Sequence, residues 1–294
     1  MIPPVFDYHS PASLDEAIAL LQEHGHDAKI LSGGHSLLPM MKLRLAEPEH
    51  IIDINGIPDL SYVREEGDVI KIGGLTREAD IETSDVIRSK VPIIRDTCLQ
   101  IADPQVRNMG TIGGNLAHGD PGNDHPATML ALGARVVVTG PNGTRTIAIG
   151  DFFIDFYTTA LEPDEILTEI EVPTPPPQSG GAYLKLERKV GDYATVGVAV
   201  QLTLDSEGRC SAIGIGLTNV AEVPLKATRA ESRLLNTELQ ETDINEAAQM
   251  ASEDARPSSD LRGPEAYKRA VIRVMTERTI QAALEHARKH KPGN

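Results

Sequence analysis

Residues 110–126 read Gly-Thr-Ile-Gly-Gly-Asn-Leu-Ala-His-Gly-Asp-Pro-Gly-Asn-Asp-His-Pro, and five of these positions are glycine: Gly110, Gly113, Gly114, Gly119 and Gly122. A run so poor in side chains cannot hold itself together by packing. Glycine suits positions where the backbone turns through positive φ or approaches a ligand closely. Successive unobstructed N–H groups in such turns form concave anion sites. A second, smaller stretch of this kind lies upstream at Ser32-Gly33-Gly34-His35-Ser36, directly after the apolar pair Ile30-Leu31. Each glycine pair is followed by hydrogen-bonding side chains, His35 and Ser36 in one case and Asn115 in the other. Two such turns suit a ligand with two linked phosphates, a dinucleotide pyrophosphate. The bland alternative is a pair of ordinary tight turns. It weakens because both follow apolar, strand-like segments of one chain.

The chain of 294 residues is long enough for two or three compact units. Its 40% apolar content supports a globular core, built from Ile, Leu, Val and Ala because Trp is absent. A net charge of −15 argues against nucleic-acid binding, which needs basic patches. An anionic ligand would therefore be held by local backbone dipoles rather than by the field of the whole protein. Cys98 and Cys210 form no C-x-x-C pair, which excludes an iron–sulfur cluster or thiolate zinc site built from this chain alone. No signal peptide is visible, and no apolar run approaches the ~18–20 residues of a membrane span. These features predict a soluble cytoplasmic protein.

Outward from the glycine segments the chain punctuates itself clearly. Ser13-Leu14-Asp15-Glu16 is a capping-box pattern. Leu14, Ala17, Ile18 and Leu21 then share one helical face, and Gly25 stops the helix. Lys29-Ile30-Leu31 and His50–Ile54 read as buried strands, with Leu37–Leu45 between them a short segment interrupted by Pro39. No G-x-G-x-x-G follows the first strand, so the Rossmann plan does not apply. The nearest miss, Gly214-x-Gly216-x-x-Asn219, lies in an apolar strand pattern and predicts close backbone packing.

Hairpins are expected at Tyr62–Arg64 with Val69–Ile72 and at Arg135–Thr139 with Thr144–Ile149. Helical signals span Thr76–Thr83 and Ile93–Ile101, and Asp124 could cap a helix from Pro126 to Leu132 that ends at Gly133. Ile166–Val172 is a further strand. Residues 174–181, rich in Pro and Gly, read as a linker. Beyond it come three strands, Ala182–Lys189, Thr195–Leu204 and Ser211–Val220, in an antiparallel meander. Helices follow at Lys226–Asn236, Asp243–Asp254 and Glu265–Arg288, the last with Tyr267, Ala270, Val271 and Val274 on one face. The basic tail from Ala287 to Asn294 reads as a frayed, solvated end. Strands grouped apart from helices define an α+β class. The expected units are an N-terminal subdomain at 1–57, a middle subdomain at 58–173 and a C-terminal antiparallel sheet with helices at 182–288.

Other chemistries fit the central run less well. His118, Asp120, Asp124 and His125 could coordinate a metal, but the i, i+4 His pairing of metalloproteases is absent. Asp120 and Asp124 also have ready uses in a turn and a helix cap. A Walker loop needs Lys-Ser/Thr after its last glycine, and a serine nucleophile needs an elbow that Ser36 lacks. The residues alone therefore reach a pyrophosphate-bearing cofactor held between an N-terminal and a middle unit, and not its identity. A non-redox module for nucleotides or phosphosugars stays open at this level.

Lys29–Lys42, together with Asn108–Asp124, closely resembles the FAD-binding subunits of the molybdenum hydroxylase family, and the similarity runs from Phe6-Asp-Tyr-His to the final helix. Within that family, Gly119–Asp124 and Arg188–Ala194 are similar to the carbon monoxide dehydrogenase branch. The resemblance implies a two-subdomain FAD-binding unit of the vanillyl-alcohol-oxidase-like type, followed by the C-terminal three-stranded sheet. It implies non-covalent FAD, its pyrophosphate cradled by Ser32, Gly33, Gly34, His35 and Ser36 and by Thr111, Ile112, Gly113, Gly114 and Asn115. It implies further FAD-binding positions at Lys29, Ile30, Leu31, Leu37, Ala102, Gly110 and Asp120. Asp124 would contact ribityl or ribose hydroxyls, Ile101 and Leu167 would pack near the isoalloxazine, Lys185 would sit beside the ring and Tyr193 would lie over one face. No residue of this chain is assigned a catalytic role. The implied partners are an iron–sulfur small subunit and a molybdenum large subunit, in a dimer of heterotrimers that passes electrons to a quinone or similar acceptor. Membrane association would be peripheral at most. The alternatives are a free-standing flavin oxidoreductase of the same fold, or the FAD subunit of a different molybdenum hydroxylase of the xanthine, aldehyde or nicotinate type.

Overall fold

In the computed structural model, which describes residues 2–289, the N-terminal segment builds a small sheet from β1 (Asp7–His9), β2 (Ala28–Leu31) and β3 (His50–Asp53). All pairings are parallel, in the order β1-β3-β2. Helix α1 (Leu14–His24) crosses between β1 and β2. Ser13 caps it by accepting from the Glu16 N–H, while the Glu16 carboxylate reaches the Ala12 N–H at 2.7 Å. Its buried face is Ala17, Ile18 and Leu21, and Gly25 ends it at φ +54°. The segment interrupted by Pro39 is a helix, α2 (Leu37–Lys42). Pro39 falls in the first turn, where an N–H has no intrahelical acceptor to lose.

The middle segment folds around a five-stranded antiparallel sheet, ordered β4-β5-β10-β6-β7. Its strands are β4 (Val63–Glu66), β5 (Val69–Gly73), β6 (Arg135–Gly140), β7 (Gly143–Ala148) and β10 (Ile166–Pro173). Between β5 and β6 run α3 (Glu78–Thr83), α4 (Asp85–Lys90), α5 (Pro92–Cys98), α6 (Pro104–Arg107), α7 (Ile112–Ala117) and α8 (His125–Leu132). A two-stranded hairpin, β8 (Phe153–Asp155) and β9 (Thr158–Thr159), lies between β7 and β10. The glycine pair Gly113-Gly114 is thus helical and not a turn. Thr111 caps α7 through its Oγ1, which accepts from the Gly114 N–H at 3.2 Å. Glycine is needed there for close approach: a Cβ on Gly113 would sit 2.4 Å from the Gly74 carbonyl oxygen.

The C-terminal segment has four antiparallel strands rather than three: β11 (Ser179–Leu186), β12 (Val196–Leu204), β13 (Cys210–Thr218) and the two-residue β14 (Leu225–Lys226). β14 is too short to show a period, and the helical pattern expected from Lys226 starts after it. β11 begins inside the expected linker, which leaves 174–178 between strands. Helices α9 (Thr228–Leu234), α10 (Glu241–Asp254) and α11 (Glu265–Lys289) complete the chain. α11 packs on β11 and β12 from one side, while α8 packs on β13 and α5 on β11 from the other. The middle and C-terminal segments therefore share a core containing Tyr183 and Ala199. As expected, Gly214 and Gly216 allow close packing. A Cβ on either would fall 1.9 Å from a carbonyl oxygen of α8, on Ala131 and Ala127 respectively.

The face of α11 differs from expectation. Tyr267 is 47% exposed and Ala270 is exposed, whereas Lys268, Ile272, Met275, Thr276 and Thr279 are buried. Val271 and Val274 of the expected face are half-buried, Val271 against the C-terminal core. Lys268 is buried with its ammonium paired to Asp260 at 2.8 Å, a tertiary contact that no periodicity announces. The last residues of the expected frayed tail, 290–294, lie outside the described residues. Among those described, no helix is long and apolar enough to cross a membrane.

Candidate cofactor-binding cleft

The two glycine segments, 80 residues apart in sequence, meet face to face. Ser32 follows β2 and Thr111 precedes α7, and their hydroxyls are hydrogen-bonded at 2.7 Å. The contact is backbone-close: a Cβ on Gly33 would lie 2.5 Å from the Met109 carbonyl oxygen. Gly34 turns the chain at φ +74°, in the left-handed region that favours glycine. Arg77 clamps the junction by donating to the Met109 carbonyl and, at 2.5 Å, to Asn55 Oδ1. Asn55 Nδ2 in turn donates to the Ser32 carbonyl at 2.8 Å.

Beside this junction opens a cleft of about 870 Å³, within the size range of cofactor sites. Its walls include Lys29, Ile30, Ser32, Gly33, Gly34, His35, Ser36, Leu37, Ile101, Ala102, Gly110, Thr111, Gly114, Asn115, Asp124 and Tyr193. Leu31, Ile112, Gly113, Asp120, Leu167 and Lys185 do not line it. Ile112 and Leu167 belong to the central core. Asn115 lines the cleft with a buried Oδ1 that has no hydrogen-bond partner among the described residues. Leaving a buried acceptor unpaired is costly unless a ligand or water satisfies it.

Asp124 directly precedes α8, but its carboxylate does not cap the helix. It accepts instead from the Tyr183 hydroxyl and, at 3.2 Å, from Lys185 Nζ. The reason is tertiary: β11 delivers Tyr183 and Lys185 from across the shared core. Lys185, expected beside the flavin ring, has a fully covered side chain. Its ammonium also donates to the carbonyls of Gln100 (2.6 Å) and Asp192 (3.0 Å) and lies 3.4 Å from Glu187. Burial pushes the Asp124 carboxyl above its ordinary range, with the Lys185 ammonium and the Tyr183 hydroxyl opposing that push. The Tyr183 phenol is driven well up by burial and by Asp124.

Next to Asp124, His125 Nε2 pairs with Glu78 at 2.7 Å, both side chains buried. Burial works against charge on the imidazole, yet the Glu78 carboxylate outweighs it and raises the His125 pKa. Asp120 serves its turn by accepting from the Gly122 N–H, and its second oxygen takes the Tyr157 hydroxyl at 2.9 Å. Tyr157 meets His118 edge to face, and burial lowers the His118 pKa.

The C-terminal segment closes one end of the cleft. Gly191, at φ +81°, lies so close to Ala102 that a Cβ there would be 2.5 Å from its carbonyl oxygen. This seats Asp192 and the 46%-exposed Tyr193 on the wall. Glu78, His118, Tyr157 and Asp192 also line the cleft and were not anticipated. His118 belongs to the glycine-rich run itself and was weighed only as a metal ligand, whereas Glu78, Tyr157 and Asp192 arrive through separate elements with no local signal.

A flavin-binding class of protein is what this arrangement and the family comparison define together. Residues 4–175 match the family described as FAD binding domain in molybdopterin dehydrogenase, and the chain belongs to it. Residues 181–283 match the CO dehydrogenase flavoprotein C-terminal domain. Among individual proteins, the chain is 50% identical to the carbon monoxide dehydrogenase medium chain of Afipia carboxidovorans, over 98% of this chain and 100% of that one. It is 49% identical to the medium chain from Hydrogenophaga pseudoflava, over 96% and 98% respectively. A solved structure of carbon monoxide dehydrogenase from H. pseudoflava, lacking the Mo-pyranopterin moiety of its cofactor, superposes with a TM-score of 0.96 at 50% identity. That match covers 97% of this chain and 99% of the other.

Proposed function

We propose that the chain binds one FAD non-covalently in the cleft and works as the electron-transfer subunit of a molybdenum hydroxylase of the carbon monoxide dehydrogenase type. The observation that carries this reading is the junction of the glycine segments. Two side-chain-poor stretches, one following β2 and the other opening α7, face one cleft, and Asn115, whose buried Oδ1 has no partner among the described residues, lines it. The fit to FAD rests on residues present. The amides after Ser32 and at the start of α7 would hold the pyrophosphate, with the Ser36 hydroxyl and the Asn115 amide as further partners. Asp124 would take sugar or ribityl hydroxyls as an acceptor. Ile101, Ala102 and Tyr193 would wall off the ring from water.

Bound flavin supplies a carrier able to exchange electrons singly or in pairs; the protein supplies placement and electrostatics. Within the chain, Lys185, Tyr183 and His125 fix Asp124 and the start of α8, and Glu78, the partner of His125, also reaches the cleft wall. The chain has two cysteines, one of them hydrogen-bonded through Sγ to the Glu78 carbonyl, too few for the four thiolates of a cluster. Electrons therefore enter from an iron–sulfur partner fed by a molybdenum subunit, in a dimer of heterotrimers, and leave to a quinone-type acceptor. Any contact with a membrane is peripheral and made through the assembly.

The test is equilibrium FAD binding, read by flavin absorbance and fluorescence. Asn115→Ala removes one polar partner without disturbing the packed core and should weaken FAD binding about tenfold, the equivalent of ~1.4 kcal/mol. Wild-type protein purified in its native assembly without flavin absorbance would overturn the reading.

A further inference from the structure

Away from the cleft, three histidines widely spaced in the sequence converge at one edge of the N-terminal sheet. His9 ends β1, His24 ends α1 and His50 opens β3. Their ligand atoms all lie within 4.8 Å of one another, and all three residues are half-buried. Among the described residues this is the only such cluster of metal-ligating side chains. His9 Nε2 faces His50 Nδ1 at 3.2 Å. The His24 ring stacks on that of His50 with centroids 3.7 Å apart. Asp7, paired with His50 in the β1–β3 register, brings Oδ2 to 3.9 Å from His50 Nδ1.

We propose that His9, His24 and His50, completed by Asp7, form a binding site for a divalent transition ion of the zinc type. Zn–N bonds of ~2.0–2.1 Å in a tetrahedron set ligand nitrogens about 3.3–3.4 Å apart. The His9–His50 edge already has that spacing. To close the others, the half-buried His24 ring turns out of its stack on His50, so that both rings aim a nitrogen at one point, and the exposed Asp7 swings in. Three imidazoles and one carboxylate form the donor set that favours zinc and its neighbours over magnesium or calcium. The cluster also sits at the C-terminal end of α1, whose free carbonyls favour a cation. Without an ion, His9 and His50 share one hydrogen bond and the His24 ring stacks on His50. With one, each ring has a strong partner and β1, α1 and β3 are cross-linked. The site is independent of the cofactor reading.

The flavin-loaded full chain, stripped with a chelator, is titrated with Zn²⁺ by calorimetry and with Co²⁺ by visible absorption. One ion per chain is expected, with the intense visible bands of tetrahedral Co²⁺ and a higher melting temperature in saturating zinc. His24→Ala and His50→Ala should each weaken zinc binding at least about tenfold and abolish the cobalt bands. His9→Asn, which keeps a hydrogen-bonding group of similar reach, guards against misfolding. It should keep the wild-type circular dichroism and flavin absorbance while losing the ion. Absence of stoichiometric zinc in the wild type, or equal affinity in His24→Ala and His50→Ala, overturns the proposal.

Discussion

Lys185 ends among four acceptors, two carbonyls and two carboxylates, with no exposed surface on its side chain. Removing one member of a buried, hydrogen-bonded charge cluster strands the others, which typically costs about 3–5 kcal/mol. Lys185→Met should therefore lower stability by that amount in chemical denaturation and loosen FAD through a displaced Asp124. A variant as stable as the wild type would show that the cluster is not held by the ammonium. His125 gives a pH-dependent counterpart. Its folded-state pKa is raised by Glu78, so its contribution to stability is complete below the unfolded value of about 6.5. That contribution is lost as pH climbs through the higher folded value. The stability gap between wild type and His125→Gln should accordingly be larger at pH 6 than at pH 9, measured by urea denaturation at both.

At the scale of elements, α8 couples the C-terminal sheet to the cleft. Its carbonyls rest on Gly214 and Gly216, and Asp124 immediately precedes its first turn. Gly216→Ala places a Cβ where the Ala127 carbonyl oxygen now lies, so the helix must shift outward. Overpacking of this kind costs roughly 1–3 kcal/mol. The variant should melt lower and bind FAD more weakly, although residue 216 does not touch the cleft; calorimetry and flavin titration read the two effects. α7 carries a related lesson. The glycines of 110–114 advertise close approach, yet whether they turn or wind into a helix was settled by the Thr111 cap and by Gly74 beneath Gly113.

At the scale of the molecule, the cleft is walled by all three segments, with the C-terminal one contributing through the loop at Gly191–Tyr193. Two cysteines cannot supply the four thiolates of an iron–sulfur cluster, so on the proposed reading the electrons come from a partner subunit. Native mass spectrometry of an extract from cells producing the whole system should find it with iron–sulfur and molybdenum subunits, and the isolated chain should not oxidise carbon monoxide with a dye acceptor. Finding only homo-oligomers would contradict the assignment.

The amino-acid sequence by itself did not announce β1, the short helices α2, α4, α6 and α7, or the β8–β9 hairpin. It determined the α+β class, the longer strands and most of the longer helices, and both glycine segments of the cleft. These are local matters: glycine pairs, caps and apolar periods act within a few residues, so they can be read there. The close packing at Gly214 and Gly216 was equally legible, because small residues in an apolar strand admit few other uses. Only the tertiary structure decided that Asp124 binds Tyr183 and Lys185 instead of capping α8. It alone buried Lys268 of α11, added the short β14, and brought His9, His24 and His50 together. Each of these depends on pairing between residues far apart in the chain, where burial and charge outweigh local preference and leave no period or spacing to read.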